Sequence, residues 1–296
     1  MDGIIIINKP KQYTSHDIVA KVKKILNTRK VGHTGTLDPN ATGVLPILLG
    51  QGTKLSKYLI NHDKIYEVTL KLGEKRDTAD SEGKVIEVKE IKPNMITTEK
   101  IEEVLKTFIG KQKQIPPIYS AIKVKGKKLY EYARNGQKVE LQPRDIEIYN
   151  IEFLDKTESN VHFKVECSKG TYIRSLCEDI AEKLGTVGYM EELKRTKVGI
   201  FEIQEAVSIQ ELEENCNNEE YIKSKIITIE EMFKSKNSII LEEKELKQFL
   251  NGVNLTKKLQ DGIYKVYNNQ NTFIGLATVH KEKIKRDIIQ LAESNI

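Results

Sequence analysis

A lone acidic residue, Asp38, lies in the stretch VGHTGTLDPNATGVLPILLG, residues 31 to 50, between several small residues and a proline. A carboxylate in such a place can cap a helix, shape a turn, bind a metal or take part in catalysis. Aspartate followed by proline is common in turns, so the residues taken alone favour a structural turn. Whether Asp38 does chemistry depends on the partners that the rest of the chain supplies.

Residue spacing argues against three kinds of site. Metal binding is weakly supported at Asp38, because only His33 lies nearby and no second carboxylate joins it. The glycines at 32–43 and the motif GQGTK at 50–54 both miss the spacing of a phosphate-binding loop, which disfavours nucleotide hydrolysis. The motif DTADSEG at 77–83 resembles half of an aspartic protease dyad, but a single copy supplies no pair, so we interpret it as a turn.

The cysteines and the apolar segments indicate the compartment. Cys167, Cys177 and Cys216 form no C-x-x-C pair, which argues against both a disulfide framework and a zinc site. The longest apolar strip near the start, Ile4 to Ile7, is far shorter than the roughly 20 residues needed to cross a bilayer, and no signal-peptide pattern precedes it. We therefore expect a cytoplasmic protein that does not associate with a membrane.

Positive charge is concentrated in two segments. The whole chain has 48 Lys and Arg against 43 Asp and Glu, a net charge of only +5. Residues 111 to 145 alone hold nine basic and three acidic side chains, and a second basic cluster runs from Lys9 to Lys30. Such polarised charge suits a polyanion, although solvated lysine faces have the same composition.

Hydrophobic periodicity predicts the elements that must position Asp38. Gly3 to Ile7 reads as a short buried strand, and Ser15 is the predicted N-cap of a helix with one apolar face. KIYEVTLKLG at 64–73 alternates as a strand, and GKVIEVKEI at 83–91 is its predicted neighbour. Further on, the patterns predict a helix at 97–110, a strand at 161–167 and a helix at 171–185 with Cys177 in its core stripe.

Strands and helices alternate irregularly, without the period of a doubly wound fold, so we predict an α+β fold with a mixed sheet. The polar stretch 213–226 reads as an exposed loop and 233–238 as a linker. Residues 242–285 then predict a short helix and two strands around an Asn-rich turn. This β-rich module is near the lower size limit for independent folding, so we expect it to lean on the larger domain.

The chain resembles the TruB family of tRNA pseudouridine synthases over residues 3 to 200. The motifs that carry the resemblance follow in order: INKPKQYTSHDIV, VGHTGTLDPNATGVLPILLG, KIYEVTLKLG, RDTADSEG, PPIYSAIKVKGKKLYEYARNG and CSKGTYIRSLCEDIAEKLGT. The resemblance implies a mainly antiparallel sheet in a catalytic domain at 1–235 of the pseudouridine synthase type. It also implies a small β-rich PUA-like RNA-binding domain at 237–296.

The resemblance implies a role for Asp38 as the nucleophile of an isomerase that converts uridine at position 55, in the T loop of tRNA, to pseudouridine. Arg174 matches the arginine that steadies the carboxylate, and Tyr66 matches a tyrosine that contacts the base and assists proton transfer. His33 matches a histidine that enters the space left by the flipped base. By periodicity alone Tyr66 is a core strand residue, and Arg174 is a surface helical arginine.

Further positions carry over from the same resemblance. Tyr172 and Leu193 match the base pocket, and Lys9 matches a supporting lysine. The basic segment 111–145 matches an insertion that closes over the T arm of tRNA. The reaction has no net redox change, so we expect no cofactor and no metal. We also expect a monomer without an obligate protein partner.

Two departures from the family pattern stand out. Gln12 replaces the usual glycine, so a turn that needs a positive φ is predicted to be strained or rebuilt. Gly188 and Tyr189 stand where the family commonly has alanine and histidine. A rival hypothesis is a non-catalytic RNA-binding or RNA-folding module, which would need the basic segments and the C-terminal domain but not Asp38. The same chemistry on another RNA is a further alternative.

Overall fold

The structure, a computed structural model, describes residues 1–91, 95–120, 122–124, 126–135, 137 and 139–290. The strands are β1 (Gly3–Lys9), β2 (Val31–His33), β3 (Thr42–Leu49), β4 (Lys64–Leu72), β5 (Glu74–Arg76), β6 (Val85–Val88), β7 (Gly110–Gln114), β8 (Lys123–Val124), β9 (Lys127–Lys128), β10 (Arg144–Lys156), β11 (Asn160–Cys167), β12 (Gly188–Val198), β13 (Phe201–Glu202), β14 (Ile226–Ile227), β15 (Ser238–Leu241), β16 (Leu255–Thr256), β17 (Gly262–Asn268), β18 (Phe273–His280) and β19 (Lys283–Ile289). The helices are α1 (Ser15–Ile25), α2 (Ser56–Leu59), α3 (Thr98–Lys106), α4 (Leu129–Arg134), α5 (Ile173–Lys183), α6 (Ile209–Glu214), α7 (Glu219–Lys225), α8 (Ile229–Met232) and α9 (Glu243–Leu250).

A large sheet organises the first part of the chain, in the order β14-β1-β3-β12-β4-β11-β10-β7, with β2 paired to β3 and β13 to β12. Its strand pairs are antiparallel except for β3 and β12, which run parallel. The predicted α+β class with a mixed, mainly antiparallel sheet is therefore confirmed. Within this sheet Arg195 of β12 lies opposite both Gly43 of β3 and Tyr66 of β4.

Both faces of the sheet are covered near β1, which explains the uninterrupted run of four isoleucines there. Ile5 and Ile7 join a core with the apolar residues of α1, α3 and α5. Ile4 and Ile6 point the other way, into a second core that includes Leu276 and Ile288 of the C-terminal strands. The C-terminal segment therefore packs on the back of the large sheet.

The C-terminal strands form a separate five-stranded sheet in the order β15-β17-β18-β19-β16. The predicted helix and the two strands around the Asn-rich turn are confirmed as α9, β17 and β18. Polar contacts add to the apolar packing against the large sheet, because Lys57 and the Tyr58 hydroxyl both bond to the Asp287 carboxylate. The expectation that this module leans on its neighbour agrees with these contacts.

Some local predictions were wrong. Thr14, not Ser15, caps α1, because the Thr14 hydroxyl accepts from the Asp17 amide while the Ser15 hydroxyl bonds to Leu37. The stretch 213–226 is not an open loop, since Asn218 caps a helix, α7, within it. Strand β6 does not extend the large sheet next to β4. It pairs with β5 in a separate two-stranded ribbon, and β4 lies between β11 and β12.

The topology brings three parts of the chain to one place. The loop between β2 and β3 carries Asp38, α5 begins just after a turn at Gly170 with a φ of +83°, and β4, beside β12, carries Tyr66. Gln12 has a φ of +67°, so of the two predicted outcomes the turn keeps its positive φ under strain and is not rebuilt. Among the helices in the described ranges, none has the length and apolar character needed to cross a membrane.

Candidate active site

The Asp38 loop is fixed to helix α1 through its neighbour Leu37. The Leu37 amide donates to the Ser15 hydroxyl at 3.0 Å, and that hydroxyl donates to the Leu37 carbonyl at 3.3 Å. The Leu37 side chain is buried, while 37% of the Asp38 side chain is exposed. Because Leu37 is anchored, the Asp38 carboxylate that follows it lies at the mouth of a recess.

Lys9 supports the same loop from the interior of the protein. Its fully buried ammonium group donates to the carbonyls of Pro10, Tyr13 and Pro39 at 2.9, 2.7 and 2.8 Å. These bonds hold the turn that contains Gln12 against the residue that follows Asp38. Burial lowers the pKa of Lys9 to about 8, although the nearby Asp38 charge works in the opposite direction.

Arg174 holds the Asp38 carboxylate with two nitrogens. Its Nε lies 3.0 Å from Oδ2, and one terminal nitrogen lies 3.3 Å from Oδ1. Such a two-point pair fixes the orientation of a carboxylate as well as its charge. Only 7% of the Arg174 side chain is exposed, because it points from the first turn of α5 into the protein. The structure therefore brings together the two residues on which the sequence hypothesis depended.

Asp80 is a member of this cluster that sequence reasoning missed. Its carboxylate lies 3.5 Å from a terminal nitrogen of Arg174, which also donates to the Thr78 carbonyl at 3.3 Å. The Thr78 hydroxyl and the Glu82 amide both donate to Asp80. The segment 77–83 is a turn as predicted. The turn holds three acids, Asp77, Asp80 and Glu82, and the local sequence gave no signal that Asp80 would reach Arg174.

The electrostatic environment of Asp38 combines opposing effects. Burial among protein atoms raises the pKa of its carboxyl, and the Asp80 charge raises it further. The Arg174 guanidinium and, more weakly, the Lys9 ammonium lower it. Arg174 thus favours the ionised form of a carboxylate that is only partly exposed to water. Such a group is suited to attack an electrophilic carbon.

Tyr66, Tyr172 and Leu193 line the recess beside Asp38 and Arg174, which encloses about 110 Å³. Tyr66 and Leu193 are buried in neighbouring strands. Burial raises the pKa of Tyr66 to about 12, so its hydroxyl is protonated at neutral pH. Aromatic and aliphatic side chains beside a carboxylate, a guanidinium and several hydroxyls suit a flat base with polar edges.

Arg195 is a second residue that sequence reasoning missed. Its guanidinium is only 1% exposed and donates to the carbonyls of Val44 at 2.8 Å and Gly35 at 2.7 Å. It ties the start of the Asp38 loop to β3. Its charge also lowers the pKa of the neighbouring Tyr66, against the larger effect of burial.

His33 lies outside the recess, at the end of β2. Its ring meets that of His16 edge to face, with centroids 5.2 Å apart. Burial lowers the pKa of His33, which favours the neutral ring. Across the described residues, no three His, Cys, Asp or Glu side chains are grouped so that they could hold a metal ion.

Family models match most of the chain. The TruB family pseudouridylate synthase model for the N-terminal domain matches residues 23–173, and the tRNA pseudouridylate synthase B C-terminal domain matches residues 174–234. The chain belongs to the TruB family of pseudouridine synthases. This family's N-terminal model covers the Asp38 loop and Tyr66, and its C-terminal model begins at Arg174.

Individual TruB relatives and solved structures agree with this assignment. A tRNA pseudouridine synthase B of Clostridium tetani is 46% identical over 291 residues, which are 96% of this chain and 98% of the relative. One of Caldanaerobacter subterraneus is 42% identical over 289 residues, with the same coverage. A chain of the archaeal box H/ACA sRNP Nop10-Cbf5 complex is 26% identical with a TM-score of 0.67, over 98% of this chain and 85% of that one. The pseudouridine synthase fold is therefore confirmed.

Proposed function

We propose that this enzyme converts uridine at position 55 in the T loop of tRNA to pseudouridine, with Asp38 as its nucleophile. The observation that carries the proposal is the Asp38 carboxylate, held at two points by Arg174 and facing a recess lined by Tyr66 and Leu193. The relatives named tRNA pseudouridine synthase B support tRNA as the substrate class.

The reaction is an isomerisation that conserves every atom. The bond between ribose C1′ and uracil N1 breaks, a bond between C1′ and C5 forms, C5 loses its proton and N1 gains one. Asp38 provides the nucleophilic oxygen, toward either C1′ or uracil C6, and both attacks suit a carboxylate at the mouth of the recess. No electron acceptor is consumed, so the proposal includes no cofactor.

Tyr66 contacts the base in this proposal. Its ring provides one wall of the recess and its protonated hydroxyl can donate to a uracil oxygen or relay a proton. Tyr172 and Leu193 complete the pocket, and Lys9 keeps the Asp38 loop in place. Asp80 helps to hold Arg174 through the terminal nitrogen that Asp38 does not contact, and its charge also raises the pKa of Asp38.

The target uridine must leave the T loop to reach the recess. Base flipping costs a few kcal/mol of stacking, and a ring inserted into the vacated space offsets part of that cost. His33 has this role in the proposal, since its neutral ring lies outside the recess on the strand that leads to the Asp38 loop.

RNA binding is assigned to the basic segment 111–145 and to the C-terminal module. In this proposal the catalytic domain comprises residues 1–235, and a PUA-like RNA-binding domain comprises residues 237–296. The separate five-stranded sheet from Ser238 onward supports the division. We propose that the enzyme acts as a cytoplasmic monomer on the T arm, without an obligate protein partner.

An unmodified tRNA transcript tests the proposal directly. Incubation with the enzyme, followed by chemical mapping of pseudouridine, is expected to show one modified nucleotide at position 55. A transcript with cytidine at that position is the control and is expected to remain unmodified. Modification elsewhere in the tRNA, or none, would contradict the proposed substrate.

A further inference from the structure

The first strand of the basic segment 111–145 ends beside the start of α5. Strand β7 ends at Gln114, at the edge of the large sheet, where it is paired with β10. Residues 115–120 then continue over the turn that presents Tyr172 and Arg174. The stem of the proposed RNA-binding segment is thus in contact with the catalytic arginine's own helix.

Gln114 makes a two-point contact with the backbone of Tyr172. The Gln114 amide nitrogen donates to the Tyr172 carbonyl at 3.0 Å, and the Tyr172 amide donates to the Gln114 side-chain oxygen at 2.8 Å. Only 5% of Gln114 is exposed. A carboxamide is the side chain that can donate and accept side by side in this way. Tyr172 precedes α5 and has no side-chain cap of its own, so Gln114 holds a helix start that is otherwise uncapped.

Two further bonds follow along the same segment. The Ser175 hydroxyl donates to the Ile115 carbonyl at 2.9 Å, and a terminal nitrogen of Arg174 donates to the Tyr119 carbonyl at 3.0 Å. Residues 114, 115 and 119 therefore hold two residues of the first turn of α5 and the residue before it. A displacement of this stem would move the guanidinium that orients Asp38.

We propose that Gln114 is a positioning residue that couples RNA held by the basic segment 111–145 to the placement of Arg174 against Asp38. The inference rests on the proposed function, because the RNA supplies the force on the segment. Gln114 lies at the junction of the two, and its bonds to Tyr172 transmit the position of the stem to α5. RNA binding then sets the geometry of the catalytic pair.

The variant Gln114→Glu tests the coupling with almost no change of shape. Its ionised carboxylate can accept from the Tyr172 amide but cannot donate to the Tyr172 carbonyl, which then loses a buried partner. We expect the single-turnover rate on tRNA at pH 8 to fall by about 10- to 100-fold, with the dissociation constant for tRNA changed by less than about threefold.

Lowering the pH provides the readout that a purely structural role would not change. A protonated glutamic acid can again donate and accept, so the rate of Gln114→Glu relative to the wild-type enzyme is expected to recover as the pH falls toward 5.5. Gln210→Glu, an exposed position in α6, introduces the same charge and is expected to retain the wild-type rate at every pH.

The inference would be overturned if Gln114→Glu reacted at the wild-type rate. It would also be overturned if the loss of rate did not depend on pH, or if the variant lost affinity for tRNA instead of rate. If this variant does not fold, Ser175→Ala removes only the bond to Ile115, and it is expected to slow the rate without weakening binding. An unchanged rate in that variant would also overturn it. A wild-type enzyme that forms no pseudouridine would refute the proposed function instead.

Discussion

Replacing Arg174 with methionine is predicted to slow pseudouridine formation most severely at low pH. Methionine keeps much of the side-chain volume but removes the charge that lowers the pKa of Asp38, while burial and Asp80 continue to raise it. The acid limb of the rate profile is therefore expected to move to higher pH. As the pH falls toward that limb, a larger fraction of Asp38 is protonated in the variant than in the wild-type enzyme. The loss of rate relative to the wild-type enzyme therefore grows.

The size of the expected loss of rate follows from the burial of Arg174 and Asp38. Removing one member of a fully buried ion pair costs about 3–5 kcal/mol. Arg174 is 7% exposed, but 37% of the Asp38 side chain is exposed, so solvent screening reduces the expected cost to about 2–3 kcal/mol. Because the attacking carboxylate must keep the orientation set by Arg174 in the transition state, we expect a loss of the same size there, which lowers the rate at neutral pH by about 30- to 150-fold.

The assay is single-turnover release of tritium from tRNA labelled at C5 of its uridines, measured from pH 5.5 to 9, since C5 loses its hydrogen in the reaction. Lys223→Met is a control for loss of a positive charge, because this exposed side chain of α7 pairs with Glu219 and lies outside the proposed RNA-binding segments. Circular dichroism and tRNA binding establish that each variant is folded. A full rate in Arg174→Met with an unmoved acid limb would refute the electrostatic role of the arginine.

Three further predictions concern the surroundings of the site. Asp80→Asn is expected to slow single turnover by about 5- to 20-fold while the acid limb moves to lower pH, opposite to the arginine variant; an unmoved limb would contradict its role. Gly188→Ala places a methyl group 2.7 Å from a carbonyl oxygen and 2.8 Å from another Cβ, so urea titration is expected to show a loss of about 1–3 kcal/mol. Gly32→Ala, where the nearest atom lies at 3.8 Å, is the control, and equal stability of the two variants would contradict the packing. Replacing both Lys127 and Lys128 with alanine is expected to weaken tRNA binding and to lower the slope of log affinity against log salt by about 1.8; an unchanged slope would exclude phosphate contacts there.

Local patterns predicted the elements that carry the site. The alternation of β4 placed Tyr66 on the buried face, and the apolar stripe of α5 fixed the helix from which Arg174 projects. Each pattern depends on contacts a few residues apart, so it can be read along the chain. The Asp38 and Arg174 pairing came from the family resemblance, because 136 residues separate the two and no periodicity connects them.

The missed residues share a dependence on distant pairing. Asp80 reaches Arg174 because the turn around it docks on β12, where the Met190 amide donates to the Ala79 carbonyl. In the sequence Gln114 is one polar residue in a basic segment, and no local pattern indicates that β7 ends beside α5. The register of strands distant in sequence decides such contacts, and composition does not encode it.

The N-cap of α1 shows the same limit on a smaller scale. Thr14 and Ser15 are both good capping residues, and the local sequence does not choose between them. The choice follows from Leu37, whose backbone binds the Ser15 hydroxyl and leaves Thr14 to cap the helix. The contact between Ser15 and Leu37, which made the local prediction wrong, also holds the Asp38 loop.

The most direct test of the central claim, that the Asp38 carboxylate is the nucleophile, is a single-turnover reaction of Asp38→Asn and Asp38→Ala with saturating unmodified tRNA. We predict no pseudouridine above the level without enzyme, while both variants bind tRNA within about threefold of the wild-type affinity. Pseudouridine formation by either variant at a measurable rate would contradict the claim.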